Sequence, residues 1–223
     1  VIFHLAGISG YPACEANPHS AEIINVYSTK KLVSYLSKNQ LLVNASTTSF
    51  YGSSGEVMDE NSPVAPVSLY GKTKYEAEKI CMSHHQAVSL RFATLFGVSR
   101  KMRSDLLVND FVYRAVHARF IVLFEAHFKR NFIHVRDIAR AFMHAMDNFE
   151  AMKNHVYNVG LSDANLSKKE LCEEIQKQIP DFVFIESEIG KDPDKRNYIV
   201  SNEKIEKTGF KPQVSIQDAI SEL

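Results

Sequence analysis

The sequence predicts the α/β class, an open, doubly wound parallel sheet with helices on both faces. Three observations carry that prediction. Short apolar runs alternate with helix-patterned stretches in the order strand, helix, strand, helix, strand over residues 1–92. Turns rich in Gly, Ser and Thr follow the apolar runs, where ligands of such sheets sit. The chain has 223 residues, 45% of them hydrophobic, which suits one large domain or one domain plus a small lobe.

Val1–Ala6 is short, apolar and ended by Gly7, the pattern of a buried parallel strand. A loop with Gly10, Pro12 and Pro18 follows, then a helix from His19 to about Ser37 with Ile23, Ile24, Tyr27, Leu32 and Tyr35 near one face. Leu41–Ala45 is the next strand and runs into the hydroxyl-rich turn Ser46-Thr47-Thr48-Ser49. A long loop over 53–69 leads to a helix over 70–86, and Val88–Phe92 is a third strand. Beyond residue 100 the pattern is less regular. It gives helices at Asp105–His117 and Arg136–Asn148, and short strands at Phe120–Phe124, Phe132–Val135, Val156–Val159 and Tyr198–Val200. Ser167 and Glu170 form a capping box opening a helix over 168–179, stopped by Pro180.

Twenty-six basic and 26 acidic side chains leave no net charge, so nothing in the global balance favours nucleic acid or a membrane surface. No apolar run approaches the ~20 residues of a spanning helix. Cys14, Cys81 and Cys172 are odd in number, far apart and without a Cys-x-x-Cys, as in reduced cytosolic proteins. The histidines form no His-Glu-x-x-His array, so no metal is expected. The chain opens without Met directly on a strand and ends in a helical pattern, so it reads as a piece of a longer protein lacking upstream strands. Alone, such a piece is expected to bind cofactor weakly, turn over no substrate and self-associate through its uncovered edge.

Tyr70 and Lys74 stand four apart at the start of a helix, which puts both on one face. At ~4 Å and an effective dielectric of ~20, one charge on the other is worth about 4 kcal/mol. That is roughly three pKa units, enough to bring a tyrosine from ~10 to near 7 as a general base. The spacing recurs at Tyr27/Lys31 and Tyr75/Lys79. Only Tyr70 opens its helix after a proline-containing loop, where its hydroxyl can face a cleft.

His4-Leu5-Ala6-Gly7, Asn25, Thr47 four residues before Tyr51-Gly52, Tyr70-x-x-x-Lys74 and Leu90-Arg91-Phe92, in this order, resemble the extended short-chain dehydrogenases/reductases, the NAD-dependent epimerase/dehydratase family. The resemblance spans nearly the whole chain. It implies a Rossmann-like fold whose remaining part is residues 1–100, with a strand near 155–160 returning to it, and a mainly substrate-binding lobe over 101–223. Absent are the Gly-x-x-Gly-x-x-Gly loop and the acid after the second strand, so NADP stands beside NAD as cofactor. The resemblance gives Leu5, Ala6, Gly7, Asn25, Tyr70, Lys74 and Ala93 to the dinucleotide. It gives Thr47, Tyr70 and Lys74 to catalysis, and Thr47, Thr94, Arg130 and Arg196 to a nucleotide sugar, with the two arginines on its diphosphate. Guanidinium forks suit that task. A cytoplasmic homodimer packing the helices near 19–37 and 70–86 is implied as well.

Phe92–Gly97, Asp105–Phe111 and Asp192-Pro193-Asp194-Lys195-Arg196 are similar to the GDP-heptose 4-dehydrogenases. The expected reaction is NAD-dependent oxidation at C4 of a nucleotide-linked sugar, with Tyr70 as base. The alternative is 4-epimerisation through the same 4-keto sugar. Dehydratases of the family carry an Asp-Glu pair directly after the threonine; Thr48 and Ser49 stand there and cannot do that work. A non-catalytic dinucleotide-sensing scaffold would have a broken Thr-Tyr-Lys triad, and this one is intact.

Overall fold

The computed structural model describes residues 1–190, 194 and 196–223. β1 (Ile2–His4) passes through a loop into α1 (Tyr11–Ala16), α2 (Pro18–Glu22), a π-helical turn over Ile23–Tyr27 and α3 (Ser28–Tyr35). β2 (Leu42–Thr47), β3 (Val57–Met58), α4 (Leu69–Met82), β4 (Ala87–Phe92), β5 (Thr94–Phe96) and α5 (Leu107–His117) follow. Then come β6 (Phe120–Phe124), β7 (Lys129–His134), α6 (Val135–Asp147), α7 (Phe149–Met152), β8 (Val156–Val159), β9 (Asn165–Ser167) and α8 (Lys168–Gln178). β10 (Val183–Ser187), β11 (Ile199–Val200), α9 (Glu203–Glu206) and α10 (Ile216–Glu222) end the chain.

β1, β2, β4 and β8 form one parallel sheet in that order, with His4 opposite Asn44, Thr47 opposite Phe92, and Phe92 opposite Val159. Leu42, Cys81 and Ala87 pack with Leu32 and Val33 on the α3–α4 face. Val43, Val88 and Leu90 pack with Ile138, Phe142 and Met152 on the α6–α7 face. Both faces are therefore covered, which is why these strands read as continuous apolar runs. A second core joins α5, α8 and α10 to β6 and β7 through Phe111, Leu123, Phe132, Leu171 and Ile220. Ser167 and Glu170 make the expected capping box, bonding each other's backbone N–H at 3.1 and 2.7 Å.

Three local expectations are corrected. Ile23, Ile24, Tyr27 and Tyr35 are exposed, while Ala21, Asn25 and Thr29 face inward. The π turn rotates the helix, and small or polar residues let it approach α4 closely. The loop with Gly10 and Pro12 holds a short helix, α1, with proline in its first turn, where a missing N–H costs nothing. Strands β3, β5, β9 and β10 are too short or too polar for sequence periodicity; each is fixed by a partner far along the chain, as β10 is by β6 and β3 by β11.

Candidate active site

A cavity of about 370 Å³ opens beyond the carboxyl ends of β1, β2 and β4. Leu5 and Gly7 after β1, Thr47 at the end of β2, and Ala93 and Thr94 after β4 line it, together with Tyr70, Lys74 and Arg196. Tyr70 is placed by the start of α4. Ser68 caps that helix, accepting from the Gly71 N–H at 3.1 Å. Gly71 lets the helix end pack tightly, since a Cβ there would meet Pro66 at 3.1 Å and the Ser49 carbonyl at 3.3 Å. Gly52 turns the chain at φ 89° within 2.5 Å, measured to a built Cβ, of the Ala65 carbonyl.

Asn25 does not line the cavity; it builds the wall. Its Oδ1 accepts from the Ile8 N–H at 2.7 Å, and its Nδ2 donates to the Ile8 carbonyl and to Thr73 Oγ1, both at 3.0 Å. The loop after β1 is thereby tied to α4. Ala6 is exposed and lies outside the lining residues. Arg130 is also elsewhere. It is buried against Asp194, donating to that residue's carbonyl at 2.9 Å and pairing with its carboxylate at 3.3 Å. Of the Asp192–Arg196 stretch, Asp192, Pro193 and Lys195 lie outside the described residues.

Thr47 stands beside the Tyr70 phenol, and Thr47 Oγ1 donates to Ser49 Oγ at 2.9 Å. Arg196 Nη1 donates to the same Ser49 oxygen at 2.5 Å, while its Nε holds Asp194 Oδ1 at 2.7 Å. The phenol of Tyr70 is held above its ordinary value rather than near neutrality. Burial is the main cause, outweighing the neighbouring Thr47 hydroxyl and the charge of Arg196. Lys74 turns its Nζ to the Ala45 carbonyl at 2.7 Å, and burial lowers its own pKa. The expected lowering of Tyr70 by Lys74 is thus replaced by a pull from Arg196. Asp194 stays well below the carboxylate range: burial opposes this, and the two arginines overcome it.

Of the three Tyr-x-x-x-Lys pairs, Tyr27 is exposed on the π turn and Tyr75 packs on Phe50 with ring centroids 5.3 Å apart. Neither lines the cavity. Sequence reasoning missed Ser46, Ser49 and Arg103 as lining residues. Arg103 grips Asp105 two residues on, through Nε at 3.0 Å and Nη2 at 2.6 Å, and donates to Ser9 Oγ at 3.2 Å. The Arg-x-Asp spacing was its one visible signal. The lining of the cavity suits a polar ligand such as a dinucleotide. Ser46 Oγ is buried in its wall without a hydrogen-bond partner, and Gly7 leaves open only the space that a Cβ would take, 3.1 Å from Asn25 Oδ1. No group of three or more His, Cys, Asp or Glu that could hold a metal occurs among the described residues.

A model of the NAD dependent epimerase/dehydratase family matches residues 1–160. The chain is 30% identical over 151 residues to an uncharacterized UDP-glucose epimerase, YtcB, of Bacillus subtilis, covering 63% of this chain and 46% of that protein. It is 23% identical over 235 residues to the dTDP-D-glucose 4,6-dehydratase of Mus musculus, covering 99% of this chain and 65% of that one. The chain thus spans between about half and two thirds of these relatives. Among solved structures, MoeE5 in complex with UDP-glucose and NAD superposes with a TM-score of 0.84 at 22% identity, over 99% of this chain and 76% of that one. That likeness establishes the Rossmann-like fold.

Proposed function

The chain belongs to the NAD dependent epimerase/dehydratase family, and from that premise we propose that its cavity serves NAD-dependent oxidation at C4 of a nucleotide-linked sugar. One observation carries the reading: Thr47, Tyr70 and Lys74, spread over 27 positions in sequence, line one cavity, with Thr47 beside the Tyr70 phenol. NAD, when bound, supplies the hydride acceptor. Leu5, Gly7 and Ala93 form the wall that would face it, Asn25 braces that wall, and Lys74 Nζ lies 4.0 Å from where a Cβ on Gly7 would stand. Ala6 is left without a direct part. Thr47 orients the reacting hydroxyl and Tyr70 takes its proton. Thr94 and Arg196 face the sugar, and Arg103 offers the other guanidinium of the cavity wall to the anionic part. Arg130 acts behind Arg196, through Asp194.

Elimination of water from the keto sugar needs a further acid and base. Thr48 Oγ1 is bound to the Phe92 carbonyl at 3.3 Å and stands 3.4 Å from the Tyr198 hydroxyl, and Ser49 is bound to Thr47 and Arg196. Neither hydroxyl is an acid or a base near neutral pH, which speaks against a dehydratase. The Phe92–Gly97 and Asp105–Phe111 stretches support a GDP-linked heptose as the sugar. A second reading, 4-epimerisation, is supported by the epimerase relative. The test is incubation of the whole protein, not of this chain alone, with NAD⁺ and a panel of UDP-, GDP- and dTDP-linked sugars. Growth of reduced-nicotinamide absorbance matched by keto sugar supports oxidation. Interconversion of two sugars without net absorbance supports epimerisation. No reaction with any of them overturns both.

The reading extends to a cytoplasmic homodimer. No helix among the described residues is long and apolar enough to cross a membrane. The exposed Ile23, Ile24 and Tyr27 make an apolar face of the kind that dimers cover.

A further inference from the structure

Arg196 lines the cavity beside the Thr47–Ser49 pair. Its Nη1 donates to Ser49 Oγ at 2.5 Å, Ser49 Oγ lies 2.9 Å from Thr47 Oγ1, and Thr47 stands beside the Tyr70 phenol in the same cavity wall. If Tyr70 takes the C4 proton, as the functional reading on which this rests has it, the diphosphate is a full pyranose ring and one further bond away. A guanidinium tied into the Thr47–Ser49 pair cannot hold both ends.

We propose that Arg196 is a positioning residue for proton abstraction: through Ser49 it fixes Thr47, and it supplies the positive charge that faces the Tyr70 phenolate. The chemistry of the donors supports this. Hydroxyl hydrogens of serine and threonine rotate, so Ser49 and Thr47 can each donate in either direction. A guanidinium only donates and does not lose its proton. With Arg196 at one end, every hydrogen bond of the row can point toward Tyr70 once its oxygen is negative. When Tyr70 is protonated, the Thr47–Ser49 bond can reverse. The row is therefore complementary to the ionised base.

Arg196 is held for this task. Asp194 grips its Nε and Nη2, and Arg130 braces Asp194 from behind. Among the described residues, the other charged or titratable groups around Tyr70 are accounted for. Lys74, on its own helix, is bound to the Ala45 carbonyl. From α1, Cys14 is buried and Glu15 accepts from the Leu69 N–H at 3.2 Å. Arg103, from the loop before α5, is paired with Asp105. Tyr198, beside β11, stands 3.4 Å from Thr48 Oγ1. That leaves Arg196, among the described residues, as the cation whose hydrogen bonds run toward the phenol.

The test, made in the whole protein, compares the wild type with Arg196→Gln, Arg196→Lys and Ser49→Ala, each also in a Tyr70→Phe background. The first readout is the tyrosinate absorbance difference between each protein and its Tyr70→Phe counterpart, titrated against pH; it needs no substrate. The second is calorimetric binding of UDP, GDP and dTDP. The third is the pH profile of kcat on the sugar that the panel identifies. Arg196→Gln is expected to move the Tyr70 titration and the acid limb of kcat up by about one pH unit or more. It should lower kcat by about tenfold or more while nucleoside diphosphate affinity holds. Ser49→Ala should act in the same direction by less, and Arg196→Lys should recover part of the shift. Weakened nucleoside diphosphate binding with an unmoved Tyr70 titration would return Arg196 to the diphosphate and overturn the proposal. So would a titration moved by Lys74→Met and not by Arg196→Gln. If no sugar is turned over, the functional reading falls, but the tyrosinate titration still decides the role of Arg196.

Discussion

At the scale of single residues, the site turns on a phenol whose surroundings decide its proton. Tyr70→Phe removes only the hydroxyl. It is expected to lower kcat by about 10²–10⁴-fold, the usual range for a lost general base, with nucleotide-sugar affinity retained by calorimetry. Tyr75→Phe should leave kcat close to wild type, since that ring packs on Phe50 and lies outside the cavity lining. Equal damage from both would show that the wrong tyrosine has been assigned. The sequence made Tyr70 legible because it opens a helix after a proline loop. It could not show that Lys74 Nζ turns to the Ala45 carbonyl, nor that Arg196 reaches Ser49 across 147 positions. Those contacts depend on which backbone atoms the fold brings within reach.

At the scale of elements, two buried polar contacts hold α4, and so Tyr70, in place. Glu78 on α4 binds Arg91 on β4 through Nε and Nη2, with Nη2 to Oε1 at 2.7 Å. Arg91 also donates to the Tyr51 hydroxyl at 2.9 Å, which donates to Asn158 on β8 at 2.7 Å. Burial pushes the Tyr51 phenol up to about 12. Glu78→Ala leaves a buried guanidinium without its carboxylate, and should cost about 3–5 kcal/mol in urea unfolding. A loss under about 1 kcal/mol would mean that water reaches Arg91. The other contact is Asn25 in the π turn. Asn25→Ala strips Ile8 of both side-chain bonds, at a cost of about 1–3 kcal/mol, and is expected to weaken NAD⁺ binding measured by calorimetry. The exposed face of the same helical stretch makes a third case. Tyr27→Glu should shift sedimentation toward monomer, and an unchanged distribution would place any dimer contact elsewhere.

At the scale of the whole molecule, acid should unfold the protein from the histidines inward. Burial lowers His4, His134 and His144 below the ordinary 6.5, with Lys74 adding to the effect at His4 and Arg136 at His134. The unfolded chain therefore takes up protons that the folded one refuses. The stability tied to these groups is complete above about pH 6.5 and is lost as the pH falls toward their folded values. His134 Nδ1 accepts from the Arg136 N–H at 3.2 Å to cap α6, and protonation removes that acceptor. Thermal unfolding should be flat from pH 7 to 8 and fall steadily toward pH 5. An unchanged Tm at pH 5 would contradict the neutral burial of these rings.

The sequence by itself determined the parallel sheet, the order of its strands along the chain, the capping box of α8 and the Tyr70–Lys74 pair at the start of α4. Each is written in local patterns of a few residues: apolar runs, a cap, a four-residue spacing; Thr47 was visible only through the family resemblance. Only the tertiary structure decided which face of the helix after α1 is buried, where β3, β9 and β10 find partners, and how the arginines are shared. Arg130 and Arg196 look alike in sequence, both flanked by polar residues near an aromatic run. One is buried against Asp194 and the other reaches the cavity. A guanidinium is placed by the carboxylates and carbonyls that the fold sets around it, and those come from segments tens of residues away.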